Sequence, residues 1–168
     1  MEAITNPSAS EEEIKKPVYI AGLARSGSTI LLNALYQTGL FRSLTYRDMP
    51  FILMPGLWRK LSASSQTNRE ARERAHGDRL MVEYDSPEAF EEVFWRNFMA
   101  DQYIKADIVE PHKVPPSVRK DYRRFVSHVL SSRDDAGQTR YLCKNNNNLL
   151  RLPSLRKTFP EALLLVPF

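Results

Sequence analysis

One run, Val18 to Leu35, limits the fold more than any other part of the chain: apolar residues to Ala21, a turn holding Gly22 and Gly27, then residues with helical spacing from Ser28 to Gln37. Glycine at 22 and 27 permits a turn that a Cβ would resist. The amides of Ser26 to Thr29 then open the helix unpaired and pointing one way, where the helix dipole favours an oxyanion. The hydroxyls of Ser28 and Thr29 add donors, and Arg25 adds a planar fork suited to phosphate or sulfate oxygens. Strand, loop and helix together imply an α/β fold with an anion cradle at the end of its first strand. The same residues would also serve as an ordinary strand-turn-helix connection with a solvated arginine.

The spacing, four residues between Gly22 and Gly27 followed by Ser28 and Thr29, is that of a Walker-type loop except that serine stands where a nucleotide triphosphatase needs lysine. The cation sits inside the loop, at Arg25. This segment, with Ala24-Arg25-Ser26-Gly27-Ser28-Thr29, resembles the 5′-phosphosulfate loop of sulfotransferases that use 3′-phosphoadenosine 5′-phosphosulfate (PAPS), in the arginine-loop, bacterial-type branch. Tyr141 to Asn145 and Leu149 to Phe168 are similar to that family's later strand, helix and strand. Thr45 to Pro50 and Asp85 to Glu92 resemble segments of its bacterial members. Ala24 in place of a proline and Ser28 in place of a threonine depart mildly from the pattern.

The resemblance implies a P-loop-type, three-layer α/β/α fold with a parallel sheet. It also implies sulfuryl transfer from PAPS to a hydroxyl or amine acceptor, with Gly22, Arg25, Ser26, Gly27, Ser28 and Thr29 holding the donor. Such transfer needs no metal in principle. The three histidines, His76, His112 and His128, are isolated, and the apolar strand Leu163 to Val166 lacks the aspartate that holds magnesium in a triphosphatase. A kinase-like P-loop protein is the alternative enzyme reading, and a nucleotide-binding module without turnover is the alternative outside enzymes.

Composition narrows the setting. The chain has 168 residues, 42% of them apolar, which suits one modest core. Its one cysteine, Cys143, excludes an internal disulfide and sits in an apolar strand as a small buried hydrophobe would. No apolar run approaches the roughly 18 residues of a membrane span and no signal-peptide core opens the chain, so the cytoplasm is the expected compartment. The net charge of +4 comes from scattered arginines and lysines without interleaved aromatics, a weak signal for nucleic acid that attraction of an anionic cofactor or acidic acceptor explains equally well.

Residues 1 to 15 read as a disordered polar tail. Strands are expected at 17 to 23, 43 to 46, 140 to 144 and 162 to 167, the first and last apolar enough to be buried in a parallel sheet. Helices are expected at 28 to 37, 66 to 76, 87 to 104, 116 to 131 and 149 to 159, so residues 50 to 135 form a long helical insertion on the acceptor side. Its opening stretch, Phe51 to Trp58, either lines a pocket or packs into the core.

Two carboxylates are candidate bases for the acceptor proton. Asp48 follows the second strand, where the carboxyl end of a parallel sheet meets its ligand crevice, although an aspartate before Met49 and Pro50 also suits a turn. Glu91 flanks the apolar face drawn by Phe90, Val93, Phe94 and Phe98 on a helix opened by Ser86 and Pro87, and could reach a cleft or simply be solvated. Glu92, on the opposite side, reads as a solvated acid. Lys144 ends the third strand toward the same crevice. By resemblance it helps stabilise the sulfate, and by composition alone it is a snorkelling lysine. Asn145 to Asn148 suit capping, with an acceptor-binding role as the alternative.

The acceptor class, whether glycan, lipid, peptide or small molecule, stays open. Relatives of this kind carry an arginine and a serine for the 3′-phosphate beyond the strand that ends at Phe168. The resemblance therefore implies that these 168 residues are the front part of a longer protein, inactive alone and prone to self-association through the edge at 162 to 167.

Overall fold

The computed structural model describes residues 14–49, 51–54, 72–73, 81–82, 86–132 and 137–168. The elements run β1 (Val18–Ile20), α1 (Ser28–Tyr36), β2 (Phe41–Arg42), β3 (Arg72–Glu73), β4 (Met81–Val82), α2 (Glu92–Tyr103), α3 (Pro116–Ser131), β5 (Arg140–Lys144), α4 (Leu152–Thr158) and β6 (Leu163–Leu165). Short 3₁₀ turns occupy Tyr46–Asp48 and Asn146–Arg151. The main sheet has four parallel strands in the order β2-β5-β1-β6.

Alternation along β1 decides what lies on each face of that sheet. Val18 and Ile20 pack with Leu142 and Phe41 against Leu32 of α1. Tyr19 points the other way, into a larger cluster that takes Phe94, Trp95 and Met99 from α2, Tyr122, Phe125 and Val126 from α3, and Leu155 from α4. The result is one helix, the sheet, and three helices on the far side, the α/β architecture expected. Fully burying an aromatic side chain such as Phe94 or Trp95 contributes about 1.5–3 kcal/mol over leaving it exposed, so packing rather than helix propensity holds the insertion to the sheet.

α3 begins at Pro116, where a missing amide proton costs nothing in a first turn, and runs as expected. Its far end is tied to β2 by Arg42, 1% exposed, whose Nε donates to the Val129 carbonyl (3.3 Å) and whose Nη2 donates to Ser132 Oγ (3.1 Å).

Other elements differ from the expectation for identifiable reasons. The second strand ends at Arg42, because the chain leaves the sheet for the 3₁₀ turn at Tyr46–Asp48. The helix expected from 87 starts only at Glu92. Pro87 instead forms an antiparallel bridge with Thr45, and the Glu88 amide donates to the Leu44 carbonyl, so this segment is held against the exit of β2. The buried face of α2 is Phe94, Trp95, Met99 and Tyr103, turned from the one expected, and Val93 is exposed.

Within the helix expected at 66 to 76, Arg72–Glu73 pair antiparallel with Met81–Val82, and the rest lies outside the described residues. Charge periodicity there is a weak prior against strand pairing. The last helix is preceded by a 3₁₀ turn and starts at Leu152, with Pro153 in its first turn. β6 is an edge strand: Leu163 is 49% exposed, and among the described residues only β1 pairs with it. Ile52 is buried in the core while Phe51 is exposed, so the start of the insertion packs as well as presenting one ring. Trp58 lies outside the described residues.

Candidate functional site

The loop leaves the carboxyl end of β1, a central strand. Gly22 is required by contact, because a Cβ there would meet Ser26 Oγ at 2.6 Å and Pro167 Cγ at 2.8 Å. Gly27 is required by backbone: φ is +76°, a conformation L side chains rarely adopt, and it forms the N-cap of α1. Arg25 takes φ 70° without being glycine, in a turn closed by the Ser26 amide on the Leu23 carbonyl (3.3 Å). Left-handed backbone at a bulky residue costs about 1–2 kcal/mol, so the arginine is kept at the expense of loop stability.

Arg25 is exposed, and the first bond inside α1 runs from the Leu31 amide to the Gly27 carbonyl (3.0 Å). The amides of Ser28, Thr29 and Ile30 therefore precede the helical ladder, as the first amides of any helix do. Ser26 Oγ is buried and has no hydrogen-bond partner among the described residues. An orphaned hydroxyl, leading amides and an exposed guanidinium within one turn form a donor set suited to an oxyanion, so these residues fit the phosphosulfate end of a donor.

Lys144 lies beside this loop. It is paired in register with Ile20, two residues before Gly22, and by alternation falls on the α1 side of the sheet with Leu142. The Asn145 amide donates to the Ile20 carbonyl (3.0 Å), extending the ladder one residue past Lys144. Asp48 follows β2, two strands from β1, or about 10 Å at the usual strand spacing. It is 5% exposed, and its Oδ2 accepts from the amide (2.7 Å) and hydroxyl (3.1 Å) of Thr45 in a reciprocal capping box. The carboxylate thus caps its own turn just past the carboxyl end of β2.

Glu91 lies inside the core rather than beside a cleft, at 1% exposure. Its Oε1 accepts from Trp95 Nε1 (2.7 Å) and Asn148 Nδ2 (3.4 Å), and its Oε2 accepts from the hydroxyls of Tyr122 (2.6 Å) and Tyr141 (2.9 Å). The Tyr122 hydroxyl is also 3.2 Å from that of Tyr19. Burial, then the Glu91 charge, pushes the phenols of Tyr19, Tyr122 and Tyr141 and the thiol of Cys143 well above their ordinary values. Among the described residues, this carboxylate is enclosed by its four donors. Cys143 is buried, as expected of a small hydrophobe in an apolar strand.

Glu92, expected in solvent, is instead tied down. Asn145 Nδ2 (2.6 Å), Asn147 Nδ2 (2.9 Å), the Tyr103 hydroxyl and Arg151 Nη2 (3.2 Å to Oε2) all donate to its carboxylate. Arg151 is itself fully buried, its guanidinium 4.6 Å from the Trp95 ring centre and 5.0 Å from that of Tyr103. Burial alone would raise the Glu92 pKa. The Arg151 charge and the hydrogen bonds from Asn145, Tyr103 and Asn147 outweigh it and lower the pKa. Tyr103 is pushed up to about 12 by burial and by its bond to Glu92. His112, in a loop and stacked on Tyr103, is lowered chiefly by burial.

A model of the sulfotransferase family matches residues 17–166. The chain belongs to the sulfotransferase family. Among solved structures it is similar to the sulfotransferase STF1 of Mycobacterium tuberculosis, with a TM-score of 0.54 and 19% identity over 97% of this chain and 48% of that one. The likeness is one of fold, and the chain spans about half the length of that relative. No curated protein matches it. Among the described residues, no helix is long and apolar enough to cross a membrane, and no group of three or more His, Cys, Asp or Glu could hold a metal ion.

Within this sulfotransferase-family chain, the loop and Lys144 meet at neighbouring strand ends, Asp48 follows the same, carboxyl end of β2, and Glu91 is apart from them in the core. The residues missed in the sequence are Glu92 and Arg151. Their 59-residue separation hides the pairing, and the only local signal is the polar Asn145 to Asn148 run that answers Glu92.

Because the folded pKa of Glu92 is lowered, its contribution to stability is present above the unfolded carboxylate value of about 4.3. It is lost as pH falls through the folded value. The denaturation midpoint of Glu92→Gln should therefore lie well below that of the unsubstituted protein at pH 7, with the gap closing in acid. A gap that is constant with pH would mean that the ionised carboxylate is not the stabilising form.

Proposed function

We propose that the whole protein is a PAPS-dependent sulfotransferase acting on a hydroxyl or amine acceptor, with the loop from Gly22 to Thr29 as the cradle for the 5′-phosphosulfate. The observation that carries this is Arg25 at φ 70° in a loop whose leading amides and Ser26 hydroxyl have donors to spare, in a chain of this family. As the acceptor oxygen or nitrogen bonds to sulfur, the bond from sulfur to the bridging phosphate oxygen breaks. Negative charge then grows on that oxygen, where Arg25 and Lys144 would stabilise it, and the acceptor proton leaves to a base.

The loop lacks the Walker lysine that a kinase would place at position 28, which favours sulfuryl over phosphoryl transfer. Calorimetry on the full-length protein with PAPS, and separately with ATP and magnesium, tests the donor. Transfer of labelled sulfuryl groups to glycan, lipid, peptide and small-molecule acceptors tests the reaction and finds the acceptor class. Binding of ATP with magnesium in preference to PAPS would overturn the reading.

Asp48 is the base proposed. Asp48→Asn should lower kcat about 100-fold, the usual contribution of a general base, with donor affinity kept. A lowered melting temperature with kcat unchanged would assign Asp48 wholly to the turn it shares with Thr45.

A further inference from the structure

We propose that Glu92 is a positioning residue, latching the helical insertion onto the Asn145–Asn148 turn and so fixing where Lys144 leaves β5 beside the loop. Glu92 opens α2, yet three of its partners, Asn145, Asn147 and Arg151, belong to the turn after β5. The latch acts on both sides of one short turn. Glu92 takes the side-chain amides of Asn145 and Asn147, while the neighbouring Glu91 takes that of Asn148 from within the core. Asn145 is further fixed by its amide on the Ile20 carbonyl and by its Oδ1, which accepts from the Asn147 amide (3.0 Å).

Lys144 therefore lies between two anchored residues, Cys143 packed in the core and Asn145 held by Glu92. Its backbone is aligned with Ile20, from which the chain runs directly into the loop. A shift of this turn would move the root of the lysine relative to Arg25 without touching the loop itself. Charge-assisted bonds to a partly shielded carboxylate are the stronger kind, and several on one group make the turn a single unit. Glu92, with Glu91 beside it, thereby ties the insertion to the end of the sheet from which the loop leaves.

The kinetic part of this inference rests on the sulfuryl-transfer reading, and the structural part does not. In the full-length protein, native-state hydrogen exchange of Glu92→Gln should show the amides of Asn145 and Asn147 losing protection about tenfold, while those of Tyr141 to Cys143 keep theirs. Asn147→Ala, which removes one donor and leaves Glu92 in place, should give the same pattern more weakly and covers the case in which Glu92→Gln fails to fold.

With PAPS as donor, Glu92→Gln should lower kcat about tenfold while the donor KM moves less than about threefold, the signature of a contact made in the transition state. Combining it with Lys144→Ala should cost little beyond Lys144→Ala alone, because both act through one group. Unchanged exchange at Asn145 and Asn147 in both variants would overturn the latch. Losses that add in the double variant would overturn its action through Lys144. If the unsubstituted protein transfers no sulfuryl group from PAPS, the functional reading fails and the exchange result still decides the latch.

Discussion

Replacing Arg25 by alanine in the full-length protein should lower sulfuryl transfer about a hundredfold, close to 3 kcal/mol of transition-state stabilisation, the usual loss when one preorganised donor to a developing charge is removed. Lysine at the same position should recover part of the rate, since it restores charge but not the planar fork. A third variant separates chemistry from folding. Arg25 holds φ 70°, so Arg25→Gly should relieve strain of about 1–2 kcal/mol and raise the melting temperature while turnover falls as in Arg25→Ala. A protein that is more stable and nearly inactive cannot be explained by loop damage. Near-normal turnover in Arg25→Ala would remove the arginine from the mechanism.

Glu91→Ala should destabilise the protein by about 3–5 kcal/mol, since each buried donor left without an acceptor costs about 1–3 kcal/mol. Trp95 Nε1 and the Tyr141 hydroxyl would lose theirs, and the Tyr122 hydroxyl would keep only that of Tyr19. Glutamine should retain part of the stability by keeping one carbonyl oxygen in place. Denaturant unfolding with tryptophan fluorescence reads this directly, because Trp95 reports on its own partner. If Glu91→Gln instead kept full stability and lost only turnover, the carboxylate would belong to the chemistry and the core placement would be wrong in its consequence.

These two residues mark what could be read locally and what could not. The turn around Arg25 was legible because it is contiguous: two glycines, an arginine and two hydroxyls lie at fixed spacing within one short segment. The strand ending at Lys144 was legible as an apolar run, whereas its place beside β1 came only with the fold. The capping role of Asn145 followed from its type. The helical phase drawn from Pro87 went astray because that proline pairs with Thr45 and delays the start of α2 to Glu92. Five residues of offset turned the buried face and put both adjacent acids in surroundings other than those expected.

By itself the sequence determined the α/β class, the family and the glycine turn between the first strand and the first helix, the last because it rests on residues within one short segment. Tertiary structure alone decided the roles of Glu91 and Glu92. One carboxylate accepts from Tyr122, Tyr141 and Asn148, and the other from Asn145, Asn147 and Arg151, partners 31 to 59 residues away. An acid's chemistry is set by the donors around it. Donors that distant are brought within reach only when α2, α3 and the turn after β5 close on the same face of the sheet.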